Sequence, residues 1–299
     1  MLGIELDDAR AHAVAVDDQG NVLARAQVEA GGDLAGAAAK ALEQVQASIA
    51  GGAPSLLGVA AINPESAAIA PVVAQLALKF GGSANRNGGA VLSGTAAAAG
   101  EAWVGAARGV KDVVLFAVGL HATGGVVRDG AAITGARGRA GSLPWLSLNP
   151  VEREDYRKIG CLEAEVAAAG IVRRLIWRIK AGDRSRVQDV VKDDLSAITA
   201  EHVLEAARQG DGVSISVVRD TAKYLGMAAA NLVVVIDPEM LVLGGIMASA
   251  ADLLLEPIRH EISRRLPKPM MDALKIETAV LGADAASIGA VRLVTAALP

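Results

Sequence analysis

Cysteine, aromatic residues and clustered basic residues are all scarce in this chain of 299 residues. The single cysteine, Cys161, excludes an internal disulfide and a cysteine-rich metal site. Phe, Trp and Tyr together make up 2% of the residues and the formal net charge is −4. Neither rings for base stacking nor a dense block of Lys and Arg is therefore available, and we expect no nucleic-acid-binding surface.

Long apolar runs are lacking as well, because charge or proline interrupts each of them, as at Asp237–Glu239. No stretch reaches the roughly 18 uninterrupted apolar residues of a membrane span. The acidic residues Glu5, Asp7 and Asp8 do not fit a signal peptide, which has a basic start and an apolar middle. These features predict a soluble, cytoplasmic protein without membrane contact.

The chain is rich in small and aliphatic residues, and hydrophobic residues make up 52% of it. We expect a core built from Ala, Val, Leu and Ile, in a chain long enough for two domains.

Apolar periodicity predicts two similar α/β sets in series. In the first set, strands are predicted at 3–6, 11–16, 22–23, 55–62 and 90–92, and helices at 34–50, 69–80 (ended by Gly81–Gly82) and 95–107. In the second set, strands are predicted at 112–118, 124–130, 232–236, 241–245 and 276–281, and helices at 162–180, 214–231 and 287–298. Another helix is predicted to begin at Thr199, after a charged surface connection at 181–198.

Three stretches carry a family resemblance: GEAWVGAARGVKDV at 100–113, GCLEA at 160–164, and NLVVVIDPEMLVLGG at 231–245 followed by LLLEPI at 253–258. They resemble the ROK sugar kinases (repressor, open reading frame, kinase), in that family's order and spacing. The resemblance implies an actin-like, ribonuclease-H-like fold of two α/β domains with a cleft between them. It also implies a homodimer, and we expect domains at 1–111 plus 287–299 and at 112–286.

The first phosphate turn of these kinases, Asp-x-Gly-Gly-Thr, corresponds here to Glu5-Leu6-Asp7-Asp8-Ala9. Glycines let phosphate oxygens approach backbone N–H groups, whereas Asp7 and Asp8 repel a polyphosphate. One pair of like unit charges at about 4 Å costs roughly 4 kcal/mol at an effective dielectric constant of 20. The turn is therefore not expected to hold phosphate, and its two aspartates are also interpreted as a solvated hairpin tip.

The catalytic motif of the family, Asn-Asp-Ala-Asn, corresponds to Leu92-Ser93-Gly94-Thr95. In the kinases the Asp of this motif is the general base, and a serine hydroxyl is far too weak a base to replace it near neutral pH. Leu92 also removes an amide that binds the sugar. These changes predict that sugar phosphorylation is absent or barely measurable.

The second phosphate turn corresponds to residues 119–125, where three of the seven family positions survive. Thr123 and Gly124 lie at phosphate-turn positions, and His121 in the same turn is interpreted as a packed or surface residue rather than a new catalytic group. On the nucleotide side, Gly244 and Gly245 are expected to keep a close backbone contact.

The sugar and zinc motif of the family has also changed. Trp145 stands at the position of the zinc-binding His, Glu154 and Tyr156 stand at two of the three Cys positions, and only Cys161 is kept. A structural zinc ion needs four N or S ligands, so we expect no zinc. Cys161 is interpreted as a buried apolar residue and Trp145 as a plug that fills the core of the former metal region.

Of the family's sugar contacts only Glu163 is kept, and Ser142 stands at the position of a second Glu. Arg137 and Arg139 would lie near the sugar pocket, where they either hold an anion or form part of a solvated loop.

We interpret the chain as a member of the family without kinase activity, with a role in ligand binding, regulation or assembly. It is expected to need no cofactor and to bind a small molecule in the cleft. The alternative is an active kinase that uses ATP and Mg²⁺ with Glu5, Asp7 or Asp8 as a divergent base. A third class, the sugar-responsive repressors, carries a helix-turn-helix before the first strand. Here the first strand starts at residue 2 or 3, so direct DNA binding is not expected.

Overall fold

The computed structural model describes residues 1–49, 56–80 and 89–296. Three sequence predictions fall outside these residues: the start of a strand at Ser55, the helix stop at Gly81–Gly82 and the end of the closing helix at Leu298.

The chain divides into two compact units. Unit 1 consists of Met1–Leu115, Thr123–Ser142 and Ala279–Pro299, and unit 2 of Phe116–Ala122 and Leu143–Thr278. Unit 1 thus includes residues 123–142, which the sequence assigned to the second domain. The domain boundaries expected from the sequence stay a prediction.

The first five-stranded sheet lies in unit 1 and has the strand order β3-β2-β1-β4-β5. Its strands are β1 (Leu2–Leu6), β2 (Arg10–Val16), β3 (Val22–Glu29), β4 (Leu57–Ala61) and β5 (Val91–Leu92). Strand β1 is antiparallel to β2, with Glu5 opposite His12, and parallel to β4.

Both faces of this sheet are covered by helices. Alternation along β1 directs Leu2, Ile4 and Leu6 to the core that helices α1 (Leu34–Ala47) and α2 (Ile69–Phe80) share. The other face of the sheet packs against helix α13 (Ala285–Thr295), where Val14 and Val16 contact Ile288 and Val291. Glu5 therefore lies on the face that α13 covers.

Helix α13 also packs closely against helix α3 (Ser93–Val104), which is built almost entirely of small residues. The approach is so close that a Cβ added at Gly289 would lie 1.6 Å from the carbonyl oxygen of Ala96. Small side chains let the two helix backbones meet, so this part of the core needs no aromatic ring. The packing explains how a chain with 2% aromatic residues fills its interior.

The second five-stranded sheet has the order β10-β9-β6-β7-β8. Its strands are β6 (Val113–Val118), β7 (Ala122–Arg128), β8 (Ala131–Ala132), β9 (Met240–Gly245) and β10 (Lys275–Thr278). The remaining helices are α4 (Glu154–Ile159), α5 (Cys161–Val166), α6 (Ala168–Lys180), α7 (Arg186–Val190), α8 (Ala200–Arg208), α9 (Gly212–Ile236), α10 (Ile246–Ser249), α11 (Ala251–Ser263) and α12 (Lys268–Ala273).

The strand predicted at 232–236 is wrong, because helix α9 continues to Ile236. Burial follows a helix rather than a strand there: Leu232 and Val233 are buried, whereas Val234 and Val235 are 59% and 77% exposed. The helix ends at Asp237, which adopts a left-handed conformation and donates its N–H to the carbonyl of Val233.

Two other predictions need correction. The helix predicted at 162–180 is two helices, α5 and α6, which are separated at the extended residue Ala167. The connection predicted at 181–198 contains helix α7. By contrast, helix α2 has the predicted bounds, and the predicted cap at Thr199 is confirmed, because its hydroxyl accepts the N–H of His202.

Within the described ranges, none of the helices combines the length and the apolar character needed to cross a membrane.

Candidate functional site

The turn after β1 is closed by its own backbone and by one of its two aspartates. The backbone N–H of Asp7 donates to the carbonyl of Arg10 at 2.9 Å, and the backbone carbonyl of Asp7 accepts the N–H of Arg10 at 3.2 Å. The Oδ1 atom of Asp7 accepts the N–H of Ala9 at 3.3 Å. Asp8 is exposed, as a solvated hairpin tip requires, but Asp7 is buried and that interpretation is wrong for it. The Asp7 side chain thus takes a backbone N–H at a position where the family's kinases bind phosphate.

Glu5, two residues before Asp7, is half-buried. Burial raises the pKa of the Glu5 carboxyl above its usual value of 4.5, and the negative charge of Asp7 adds to the rise. The Ser93 hydroxyl, Arg10 and His12 act in the opposite direction but do not cancel the effect of burial on this pKa. Glu5 therefore binds a proton more readily than an exposed glutamate does.

Ser93 begins helix α3, and its side chain is 2% exposed. Its hydroxyl lies near the Glu5 carboxyl and opposes the rise in the Glu5 pKa that burial causes. Among the described residues, however, the Oγ atom of Ser93 has no partner in hydrogen-bond geometry. The N-cap residue Leu92 provides no side-chain cap for the helix. The N-terminus of α3 thus lacks both a carboxylate at position 93 and a capping side chain.

Two neighbours of Glu5 also carry buried, unpaired nitrogen atoms. The Nε2 atom of His12 lies 2.7 Å from Oδ1 of Asp284, but Nδ1 of His12 has no partner in the described part of the chain. The same holds for Nε of Arg10. A buried unpaired polar group costs about 1–3 kcal/mol, so several of them around one carboxyl call for an explanation other than stability. A site that takes up water or a polar ligand is such an explanation.

The start of α3 is also where Gly94 meets Gly124 of the second phosphate turn. A Cβ added at Gly94 would lie 2.2 Å from the carbonyl oxygen of Gly124, so the backbones can approach this closely only without side chains. The hydroxyl of Thr95 donates to the carbonyl of Ala140 at 3.3 Å. Thr123, next to Gly124, is half-buried in β7. Gly124 therefore has a packing role at this position.

In unit 2, Glu163 on helix α5 is 9% exposed and both of its carboxylate oxygens are engaged. Its Oε1 atom lies 3.1 Å from Nδ1 of His121, and its Oε2 atom accepts the N–H of Ala122 at 3.0 Å. The structure thus joins the one retained sugar-contact position to a histidine that the sequence favoured as a packed or surface residue. His121 and Glu163 are 42 residues apart in the sequence, so no local sequence pattern indicated this contact.

The residues of the former zinc motif do not fit a zinc site. Trp145 is 59% exposed, so the prediction that it plugs the core is wrong; Leu143 is the buried residue of that turn. The Tyr156 hydroxyl donates to Glu165, and the exposed Glu154 pairs with Lys158 on the surface. Cys161 is buried, as predicted. In the ranges that the structure covers, no group of three or more His, Cys, Asp or Glu side chains is placed to hold a metal ion.

The remaining predicted positions have structural contacts. Gly245 has a φ of +62° and lies so close to β6 that an added Cβ would be 1.9 Å from the carbonyl oxygen of Val118, whereas Gly244 is buried in β9. The Ser142 hydroxyl donates to the carbonyl of Arg139 at 2.8 Å. The Arg139 guanidinium pairs with Glu65, and both side chains are exposed, as is Arg137. This loop agrees with the solvated interpretation.

Comparison with known proteins identifies the relatives of this chain. The profile of the ROK family matches residues 90–297. A glucokinase from Halalkalibacterium halodurans is 34% identical over 195 residues, which are 64% of this chain and 59% of that protein. A xylose repressor from Caldicellulosiruptor bescii is 29% identical over 205 residues, which are 67% of this chain and 50% of that protein. The chain spans little more than half the length of these two relatives.

The fold agrees with a solved structure of the same family. A ROK glucokinase from Streptomyces griseus, crystallised with glucose and AMPPNP, superposes with a TM-score of 0.80 at 22% identity, over 98% of each chain. The predicted fold class, α/β with two actin-like halves, is thereby confirmed.

Proposed function

Because the chain belongs to the ROK family, we propose that it binds a small sugar-like ligand without phosphorylating it and acts in regulation or assembly. Both a kinase and a repressor are among the relatives of this chain, so the same scaffold is used with and without catalysis.

The observation that carries the proposal is the serine at position 93. The family's general base is an Asp at this position, at the start of α3, whereas the Ser93 hydroxyl is buried and has no hydrogen-bond partner in the described ranges. A hydroxyl does not accept a proton near neutral pH, and loss of a general base lowers the rate by about 10²–10⁴-fold. This loss alone makes phosphorylation very slow.

The turn after β1 supports the same conclusion for the nucleotide. Asp7 already accepts the Ala9 N–H, and two carboxylates stand where the family has glycines. A polyphosphate would meet their negative charge in place of free N–H groups. We therefore propose that neither ATP nor Mg²⁺ is required as a cofactor.

A coupled kinase assay with ATP and either glucose or xylose tests the proposal, together with calorimetric titration of the two sugars. We expect saturable binding of at least one sugar and no turnover. The variant Ser93→Asp should also be inactive, because the first phosphate turn and the sugar-side residues stay changed. Turnover by the wild-type chain of about one per second, which is within the range of ordinary enzymes, would contradict the proposal.

The position of Glu5 favours a second candidate, an active kinase with Glu5 as its base. Burial raises the pKa of the Glu5 carboxyl toward neutral pH, which suits a general base. The Ser93 hydroxyl, at the position of the family's base, lies near this carboxyl. In that case Glu5→Gln abolishes turnover and Ser93→Ala keeps it. A measurable rate that neither substitution changes would contradict both candidates.

We also propose that the protein holds no zinc, since only Cys161 remains of the motif and the side chains of Glu154 and Tyr156 are engaged elsewhere. Metal analysis of the purified protein should find less than one zinc per chain. One zinc per chain that is lost in Cys161→Ala would refute this.

A homodimer in the cytoplasm, without nucleic acid, is the proposed state of the protein. The exposed Val234 and Val235 at the end of α9 and a mean hydropathy of +0.38 support an interface that covers apolar surface. Light scattering at micromolar concentration should report twice the mass of one chain, and a monomer would count against the proposal.

A further inference from the structure

A depression with a volume of about 490 Å³ lies in unit 2, between helices α6 and α9 and the segment before α4. Its charged lining residues are Arg153, Glu165, Arg174, Asp220 and Lys223, and its aromatic ones are Trp177 and Tyr224. The volume falls in the range of sites that hold small molecules. Glu165 also accepts the hydroxyl of Tyr156, and the other lining residues lie outside the site described above.

Glu165 is 5% exposed, and its charge is fully balanced by its neighbours. Its carboxylate accepts Nη1 of Arg153 at 3.1 Å, Nη2 of Arg174 at 2.9 Å and the hydroxyl of Tyr156. Burial raises the pKa of the Tyr156 hydroxyl, and the negative charge of Glu165 adds to the rise, so Tyr156 stays a donor. A ligand therefore does not meet an unpaired carboxylate in this depression.

Positive charge is in excess around Glu165. Three arginines (Arg153, Arg173 and Arg174) meet only two acidic groups, Glu165 and Asp155. Lys223 on the rim pairs with Asp220 at 3.1 Å, and both side chains are exposed. In a chain whose formal net charge is −4, this is a local positive site.

The arginines are held rigidly. The guanidinium carbon of Arg153 lies 5.0 Å from the centre of the Tyr156 ring and 4.9 Å from that of the Trp177 ring. The guanidinium carbon of Arg174 lies 5.6 Å from the Tyr224 ring centre. Stacking and ion pairs fix the planar guanidinium groups, so little side-chain entropy is lost when they bind an anion.

We propose that this depression binds a small organic anion, with a phosphate or carboxylate head and a body that has an apolar or ring face. Arg153 and Lys223 bind the head, and the half-exposed Trp177 and Tyr224 pack against the body. The inference stands on unit 2 alone and does not depend on whether the protein phosphorylates sugars.

Calorimetric titration with four probes tests the proposal: phenyl phosphate, benzoate, phenol and inorganic phosphate. Phenyl phosphate or benzoate should bind saturably, and their comparison shows which head group is preferred. Phenol lacks the charge and inorganic phosphate lacks the ring, so each should bind at least about tenfold more weakly than the better of the two.

Two variants probe the residues. Arg153→Lys keeps the charge but loses the planar fork, and Lys223→Gln removes a rim charge without touching Glu165. Each should weaken binding of the better probe by about three- to tenfold. The matched control is Arg208→Lys on α8, whose bidentate pair with Asp252 lies outside the depression and whose loss should leave binding unchanged.

The outcomes separate clearly. Equal binding by wild type, Lys223→Gln and Arg153→Lys would overturn the proposal, as would the absence of saturable binding for all four probes. A second copy that covers Trp177 in solution, seen as protection of Trp177 from oxidative labelling, would overturn it too. If Arg153→Lys fails to fold, Lys223→Gln still decides, because its side chain is exposed.

Discussion

At the C-terminal end of helix α3, Glu101 is completely buried and every part of its carboxylate is used. It accepts the N–H groups of Ala106, Val280 and Leu281 at 2.7, 3.0 and 2.9 Å. At the N-terminal end of the same helix, burial raises the pKa of Glu5 and the Ser93 hydroxyl opposes this rise. The Oγ atom of Ser93 has no partner in hydrogen-bond geometry among the described residues. One helix thus connects a satisfied polar cluster with an unsatisfied one.

The difference indicates which end has a structural role and which end is available for function. Glu101 fixes the turn after α3 and the segment before α13, so the fold itself uses both of its carboxylate oxygens. At the other end, Oγ of Ser93, Nδ1 of His12 and Nε of Arg10 are buried and have no hydrogen-bond partner within the described residues. Buried polar groups without a hydrogen-bond partner are uncommon because they lower stability. This end of α3 is therefore the one where a ligand would find free polar groups.

The largest expected effect is at the satisfied end. Glu101→Ala removes a fully buried carboxylate and the acceptor of three backbone N–H groups, so it should lower the free energy of unfolding by about 3–5 kcal/mol. Denaturant unfolding measures it, with the exposed Glu201→Ala on α8 as the control, expected within about 0.5 kcal/mol of wild type. A loss below about 1 kcal/mol would mean that Glu101 does not hold this end together.

The next effect concerns the close approach at the N-terminal end. Gly94→Ala places a Cβ 2.2 Å from the Gly124 carbonyl oxygen, so we expect a loss of about 2–3 kcal/mol from overpacking. Gly212→Ala is the matched control, because no atom lies within 4 Å of its added Cβ. If both variants unfold at the same denaturant concentration, the two backbones are not in the contact described.

A pair of serine substitutions compares satisfied and unsatisfied hydroxyls directly. Ser287 is fully buried and donates to the His12 carbonyl at 2.8 Å, so Ser287→Ala should cost about 1 kcal/mol. The Ser93 hydroxyl has no partner in hydrogen-bond geometry within the described residues, so Ser93→Ala should cost less than Ser287→Ala. Thermal unfolding of both variants checks this, and an equal loss in both would show that Ser93 has a partner in solution.

The smallest effect is that of Glu5→Gln, and it depends on pH. Because the pKa of Glu5 is raised in the folded chain, the folded state binds more protons than the unfolded state between pH 4.5 and the folded pKa. The stability due to Glu5 is therefore complete below pH 4.5 and falls as pH rises through the folded pKa. Glu5→Gln should be slightly more stable than wild type at neutral pH, and the gain should vanish toward pH 4.

Denaturant unfolding at a series of pH values measures this difference. Glu29→Gln, on the exposed face of β3, is the control and should give no pH-dependent gain. A variant Glu5→Gln that is less stable than wild type at neutral pH would mean that Glu5 is ionised and well paired.

Much of the fold could be predicted from local patterns. The α2 prediction has the observed bounds because apolar spacing alone defines that helix. The run Leu232–Ile236 was predicted to be a strand because it is rich in β-branched residues, which favour strands. Only the packing of the folded chain shows that helix α9 continues through it. Trp145 was predicted to lie in the core because its side chain is large and apolar. In the structure it is exposed, and the nearby Leu143 is buried instead.

The site could be predicted only where a family motif supplied the position. Ser93 and Glu163 were named in this way, and Glu5 and His121 were named separately. That Ser93 lies near Glu5 and that His121 contacts Glu163 was not predicted, because the residues of each pair are far apart in sequence. Periodicity carries no information about such contacts. Glu101 was inside a stretch that carries the family resemblance, yet its role became visible only when α3 and the segment before α13 were seen together.

Helix α13 has a consequence for the order in which the chain folds during synthesis. Its residues complete unit 1 from the far end of the chain, with Ile288 and Val291 covering Val14 and Val16 of β2. Until the ribosome has released them, one face of the first sheet and one side of α3 have no cover. Unit 2 is synthesised before α13, so the first sheet is covered by α13 only after the residues of unit 2 have been made.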